Sequence, residues 1–257
     1  MTLNRLDDAE AVYKQVEERK LEQEFLVQSR YWLAFLKGDM VQMAQLVSAA
    51  MGKAGSEDLL LAAQADTEGW YGKLKSAHEL THRAMDSALH NDAKEAAAAY
   101  QAAAEKLAAQ LDKTFPLNTL VQRYWLPTIR AAVALEHKNP NRAIELLSPA
   151  STTELGEPTA TLAVFLCPVY LRGESYLMLH DGGAAAAEFQ KFIDHRGLVV
   201  NFPWGALARL GLARAYTMQG DTAKAKPAYQ DFLTLWKDAD PDIPILKQAK
   251  AEYAKLR

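Results

Sequence analysis

A pattern of small and aromatic residues occurs twice near the C-terminus and constrains the fold more than any other feature. Tyr176 is followed nine residues later by Ala185, and Phe189 comes four residues after that alanine. The same spacing recurs forty residues further on, in Tyr216, Ala225 and Tyr229. Such a pattern indicates two helices joined by a turn, with a small residue beside the aromatic side chain of the other helix. Because a helical hairpin of this kind cannot bury its apolar face alone, we expect it to stack on further hairpins.

The spacing is that of tetratricopeptide repeats, in which hairpins of about 34 residues stack into a solenoid. Glycine followed by aspartate, as in Gly38-Asp39 and Gly220-Asp221, favours a turn between two helices because glycine ends one helix and aspartate caps the next. Five candidate repeats can be placed in register: 24–57, 58–91, 124–157, 166–199 and 206–239. The sequence therefore predicts an all-α fold, a right-handed superhelical solenoid of about twelve helices in a single domain spanning 1–257.

Three segments lie outside these repeats. Residues 1–23 form the charged N-terminal part of a first helix that we expect to run from residue 7 to 36. Residues 92–123 contain an alanine-rich, irregular helix and a linker, whose most economical interpretation is a packing helix, since alanine forms helix at little entropic cost. Residues 243–257 follow two prolines and predict a capping helix with a polar outer face.

Composition excludes several classes of protein. The net charge of −3 gives no general attraction to nucleic acid, and the single cysteine rules out a disulfide framework within the chain. The N-terminus lacks the apolar region of a secretory signal. The sequence contains no run of about 18 apolar residues, so we expect no membrane-spanning helix. We therefore expect a cytoplasmic protein without membrane insertion or nucleic-acid binding.

One motif carries chemistry in principle. His78-Glu79-Leu80-Thr81-His82 matches the H-E-x-x-H pattern of zinc proteases. Histidines one helical turn apart can share a zinc ion, and Glu79 would then act as general base. A catalytic zinc site needs a third ligand, for which Glu105 is a candidate.

A second interpretation of the motif is structural. In the proposed register His78 and His82 lie at the edge of a packed solenoid helix, where they carry at most incidental metal affinity. Cys167 has no nearby histidine in sequence and is better explained as a small buried residue than as a nucleophile. The chain contains no phosphate loop, hydrolase elbow or kinase catalytic loop, so we expect no cofactor and no enzyme activity.

The remaining candidate site is the concave face of the solenoid, which the first helix of each repeat would line. Its mixture of aromatic, methionine and isolated charged side chains suits an amphipathic or extended peptide, although such a stripe also arises from solenoid packing alone. The candidate groove residues are Trp125, Thr128, Tyr170, Glu174, Met178, Leu210, Arg214 and Met218.

Five longer phrases carry a family resemblance that covers nearly the whole chain. They lie at 35–39, 56–61, 115–122, 124–130 and 231–241. Together they resemble the C-terminal tetratricopeptide region of bacterial eukaryotic-like serine/threonine kinases. In that family a kinase domain lies upstream, often with a membrane segment between, and neither is found in this sequence. The resemblance implies a sensor or interaction module without its catalyst, either as a fragment or as a stand-alone relative.

The leading hypothesis is therefore a non-catalytic scaffold that binds a protein or peptide partner in a signalling assembly. One alternative is a zinc-dependent hydrolase that uses the motif at 78–82. Another is a structural oligomerisation module, in which the alanine-rich helix pairs with a second copy of the chain.

Overall fold

The computed structural model describes residues 5–19, 24–53, 55–90, 109, 111–156 and 166–256. No residue in these ranges lies in a β-strand, which confirms the all-α prediction. A π-helical turn, Val121–Trp125, precedes the helix that begins at Leu126, and a 3-10 turn, Ser148–Thr152, follows the helix that ends at Leu147. The helices are α1 (Leu6–Glu18), α2 (Glu24–Lys37), α3 (Met40–Ala50), α4 (Glu57–Trp70), α5 (Leu74–His90), α6 (Leu126–Glu136), α7 (Pro140–Leu147), α8 (Cys167–Met178), α9 (Gly182–Asp194), α10 (Arg196–Val199), α11 (Trp204–Met218), α12 (Thr222–Leu235) and α13 (Pro244–Ala254).

Side-chain caps define four of the turns between helices. At each, an Asp or Asn oxygen accepts a hydrogen bond from the backbone N–H three residues later, which satisfies an otherwise unpaired donor of the new helix. Gly38 and Gly220 precede two of these caps with φ of 74°, a conformation that glycine adopts without strain. The capping residues are Asp39, Asn139, Asp181 and Asp221.

Each candidate repeat interval overlaps a pair of consecutive helices in contact with each other: α2 with α3, α4 with α5, α6 with α7, α8 with α9, and α11 with α12. The bounds are close rather than identical, since α4 begins at residue 57, α11 begins at residue 204, and 166–199 also includes α10. Phe189 on α9 shows why the small residues matter. A Cβ atom at Gly173 on α8 would lie 2.6 Å from the Phe189 ring, and one at Gly211 on α11 would lie 2.5 Å from it. Because both positions are glycine, the buried Phe189 ring on α9 fits between α8 and α11.

The N-terminal helix departs from the prediction. Lys37, at the end of α2, lies 2.5 Å from the Glu10 carboxylate near the start of α1. In one continuous helix, residues 27 positions apart would be separated by about 40 Å, given a rise of ~1.5 Å per residue. The single helix expected from residue 7 to 36 is therefore wrong, and α1 folds back along α2.

Helix α4 also packs against the C-terminal helices, far along the chain. The Trp236 indole donates a hydrogen bond of 2.9 Å to the Trp70 carbonyl, and the Asp240 amide donates one of 3.1 Å to the Gly72 carbonyl. In a linear solenoid each repeat contacts only its neighbours, so a simple stack does not account for these contacts. We call this set of contacts the α4 junction. On the α4 side it comprises Ala63, Thr67, Trp70 and Gly72, and on the C-terminal side Asn201, Gly205, Trp236 and Asp240.

One core runs through the junction. The largest cluster of buried apolar side chains contains Tyr31 and Trp70 from the N-terminal helices as well as Phe189 and Phe232 from the C-terminal helices. Helix α13 packs on α12 at the C-terminal end, in the segment where the capping helix was predicted. The alanine-rich segment lies mostly outside the described residues, which omit 91–108 and 110. Within the described ranges, no helix combines the length and apolar character that crossing a membrane requires.

Candidate functional site

A groove of about 550 Å³ opens between α3, α4 and the end of α12. Its floor is fixed by polar contacts in the core, because the Thr67 hydroxyl donates to the Ala63 carbonyl at 3.0 Å and lies 2.9 Å from the Tyr31 hydroxyl. Met40 at its edge is 51% exposed. We call it the methionine groove; its lining comprises Tyr31, Met40, Met43, Ala44, Val47, Gln64, Thr67, Glu68, Tyr71, Lys73, Thr234, Leu235, Lys237 and Asp238.

Charged side chains of both signs stand at the rim of this groove. Lys73 lies 3.6 Å from Glu68, and Lys237 lies 3.9 Å from Asp238. Both ion pairs are at least partly open to solvent, and such pairs contribute little to stability, so these groups can exchange partners at low cost. The groove thus combines an apolar interior with an adaptable polar edge, the usual anatomy of a peptide-binding surface.

A second pocket, of about 330 Å³, adjoins the methionine groove because Tyr71 and Leu235 line both. It lies between the end of α2, the end of α4, and the α9–α11 region. We call it the arginine pocket; its lining comprises Phe35, Leu36, Lys37, Gly38, Trp70, Tyr71, Phe192, Arg196, Val199, Val200, Arg209 and Leu235.

The predicted concave-face residues occupy different environments. Leu210 is 1% exposed and Thr128 is 8% exposed, so both side chains are buried in this structure. Met178 and Met218 are each 37% exposed, and Trp125 is half-buried. None of these five lines the methionine groove or the arginine pocket. Their role in a concave binding face stays a prediction.

The other three predicted residues come together in the structure. Burial raises the pKa of Glu174, while Arg214 and then the Tyr170 hydroxyl partly offset this effect. Arg214 also donates two hydrogen bonds of 3.0 Å to Glu252 on α13, and the Tyr229 hydroxyl donates to the same carboxylate at 3.0 Å. This network ties α8, α11 and α12 to the C-terminal helix, so its polar groups already have partners within the protein.

The H-E-x-x-H motif brings two of the three ligands that a catalytic zinc site needs close together. The Nε2 atoms of His78 and His82 lie 3.0 Å apart on the exposed face of α5, and Glu79 is exposed beside them. Among the described residues no group of three His, Cys, Asp or Glu side chains could hold a metal ion. Glu105, the predicted third ligand, lies outside the described residues.

Cys167 is unsuited to nucleophilic chemistry in this environment. The side chain is buried, and burial raises the pKa of the thiol to about 12. A thiol that stays protonated at neutral pH is a poor nucleophile. Its backbone N–H donates to the Tyr124 hydroxyl at 3.2 Å, which fixes the start of α8.

Scans of the chain against protein-family models, curated proteins and solved structures find no match. The geometry therefore carries the functional assignment. Sequence patterns missed both pockets because their walls come from α2, α3 and α4 together with α12 and the α9–α11 region, which only the α4 junction brings together. The signal available in sequence was limited to Met40, an apolar residue at the start of α3 that the structure leaves 51% exposed.

Proposed function

We propose that the protein is a non-catalytic interaction module that binds an extended segment of a partner protein in the methionine groove. The observation that carries this proposal is the groove itself, an open and mainly apolar cleft of about 550 Å³. Methionine side chains adapt their shape to different apolar groups, which suits the exposed Met40 to peptide recognition. A cleft with an apolar floor and a few polar groups at its edge is a common form of binding site.

The neighbouring pocket defines the chemistry of the partner. Arg196 and Arg209 line it, and no acidic residue does. A segment that crosses Tyr71 from one pocket to the other would therefore place an apolar side chain in the methionine groove and an anionic group near the arginines. Complementary charge of this kind favours one orientation of the segment over its reverse.

The helical hairpins support a scaffold over a catalyst. Stacked hairpins of tetratricopeptide spacing commonly present extended binding surfaces. The resemblance to the repeat region of bacterial kinases, together with these surfaces, supports a role in a cytoplasmic signalling assembly. This part of the proposal is an analogy from architecture. One fold can serve many functions, so the pockets carry the specific assignment.

A selection from a random peptide library on the full chain, followed by fluorescence anisotropy with the selected peptide, tests the proposal. Met40→Glu places a charge in the apolar cleft at an exposed position, and we expect it to weaken binding about tenfold or more. Met218→Glu is the matched control, because Met218 is similarly exposed but lies on the predicted concave face. If Met218→Glu weakens binding and Met40→Glu does not, the concave face is the binding surface and the proposal is wrong.

The zinc-hydrolase alternative has one observation in its favour, the short distance between the His78 and His82 rings. It requires one zinc ion per chain in a metal analysis and a peptidase activity that Glu79→Gln abolishes. The oligomerisation alternative requires self-association, which sedimentation at several concentrations measures. A strictly monomeric chain removes it.

A further inference from the structure

Positive charge is concentrated in the arginine pocket, and no acidic side chain in its lining compensates it. Its charged lining residues are Lys37, Arg196 and Arg209, and no aspartate or glutamate lines it. Lys37 already forms ion pairs, with Glu10 at 2.5 Å and with Asp7 at 3.9 Å. The two arginines are what distinguish this pocket.

Arg209 is held in place by the protein. Its guanidinium stacks over the Trp70 ring at 5.1 Å, and Nη1 donates a hydrogen bond of 2.6 Å to the Gly205 carbonyl. The side chain is half-buried. Burial lowers the pKa of Arg209, and Arg196 lowers it further, while Asp231 acts in the opposite direction. No described ion pair joins Arg209 to Asp231 or to any other carboxylate.

Arg196 faces the same pocket from the first turn of α10. Its side chain is exposed, and the guanidinium forms no hydrogen bond or ion pair with any residue that the structure describes. Two guanidinium groups of like charge therefore share one pocket, and the only hydrogen-bond acceptor they contact among the described groups is a backbone carbonyl. Like charges repel each other, and an anion bound between them would offset that repulsion.

The wall behind the arginines is strained. Val200 has φ of 46° and ψ of −121°, an unfavourable conformation for a β-branched residue. The next residue is anchored in the α4 junction, since the side-chain amide of Asn201 donates a hydrogen bond of 2.9 Å to the Thr67 hydroxyl. Strain that surrounding contacts enforce is typical of binding sites, and here it shapes the turn between Arg196 and Arg209.

We propose that the arginine pocket binds a phosphoryl group, carried either by free phosphate or by a phosphorylated residue of the partner segment. A dianion can neutralise both guanidiniums at once, whereas a carboxylate can neutralise one. Arginine is also the side chain best shaped to donate paired hydrogen bonds to phosphate oxygens. The peptide form of this inference rests on the proposed function, and the free-phosphate form does not.

Titration calorimetry of the full chain with inorganic phosphate, at constant ionic strength set with chloride, tests the pocket. We expect Arg196→Gln to weaken phosphate binding about tenfold, since it removes charge-assisted hydrogen bonds. Arg196 is exposed, so this variant should fold, and thermal unfolding without phosphate confirms that it does. Arg123→Gln is the control, since Arg123 is also exposed and lines neither pocket. Absent phosphate binding, or equal weakening by both variants, overturns the inference.

A second arm separates the two sources of the phosphoryl group. A peptide selected by the methionine groove is synthesised with serine and with phosphoserine at each position flanking its apolar residue. Tighter binding of one phosphorylated form, lost in Arg196→Gln, supports the peptide source. Phosphate binding without any such gain supports free phosphate as the ligand. If the unmodified peptide binds in a Met40-dependent way but phosphate and phosphopeptides gain nothing from Arg196, the inference fails while the proposed function stands.

Discussion

At the scale of single residues, Phe189 shows how an absent side chain determines packing. Its ring fills the space above Gly173 and Gly211, and no other residue type leaves that space free. The helical hairpin pattern at residues 176–189 is the sequence signature of this contact. Its cost is a glycine in the interior of α8, where alanine would favour the helix by about 1 kcal/mol.

Gly173→Ala should destabilise the protein by about 1–3 kcal/mol, because the new methyl group overlaps the Phe189 ring in a packed core. Denaturant titration measures the change. Gly183→Ala is the matched control, since the nearest atom to its added Cβ lies at 3.6 Å and the helix gains from alanine. Equal stability of the two variants would contradict this position of the Phe189 ring.

Asp66 is a half-buried carboxylate on α4 without an ion-pair partner among the described residues, and burial raises its pKa to about 7. The folded protein therefore holds a proton that the unfolded chain, with a pKa near 4, releases. Stability should fall as the pH rises through about 4 to 7 and then level off.

Asp66→Asn should remove this loss, stabilising the protein at pH 8 by up to about 4 kcal/mol and leaving stability at pH 4 little changed. Urea unfolding at the two pH values measures the difference. The control is Asp86→Asn, at an exposed position of α5. A gain of the same size at both pH values would show that ionisation of Asp66 is not the cause.

At the scale of helices, some features of the fold follow from short sequence patterns, and others depend on contacts between distant residues. The caps at Asp39 and Asp221 and the helix pairs in the candidate repeats follow from short patterns, and these could be read from sequence. The fold-back of α1 could not, since no local pattern predicts the contact between Glu10 and Lys37, which lie 27 residues apart. The walls of the two pockets could not either, because Met43 and Thr234 line one groove although they lie far apart in sequence.

Tyr229 tests how α12 is joined to α13. Its side chain is 1% exposed and its hydroxyl donates to Glu252 at 3.0 Å. Tyr229→Ala should cost about 3–5 kcal/mol, as for other core aromatics, whereas Tyr229→Phe should cost about 1 kcal/mol for the lost hydrogen bond. A loss under about 0.5 kcal/mol for Tyr229→Ala in denaturant titration, the size of a surface effect, would contradict the position of this side chain.

At the scale of the whole molecule, the α4 junction shapes the two pockets as well as the fold. It brings the second candidate repeat against the last, which a linear stack of hairpins would hold apart. The methionine groove and the arginine pocket both lie along the boundary that this contact creates. A binding surface made in this way uses residues from both ends of the chain, and a change in the junction alters both pockets together.

Hydrogen exchange of the full chain, with and without a saturating peptide from the library selection, tests the groove most directly. We predict slower exchange in α3, in the C-terminal half of α4 and around residues 234–238, which together form the methionine groove. Protection confined instead to α8 and α11 around Tyr170, Glu174 and Met218, with the groove segments unchanged, would contradict the assignment.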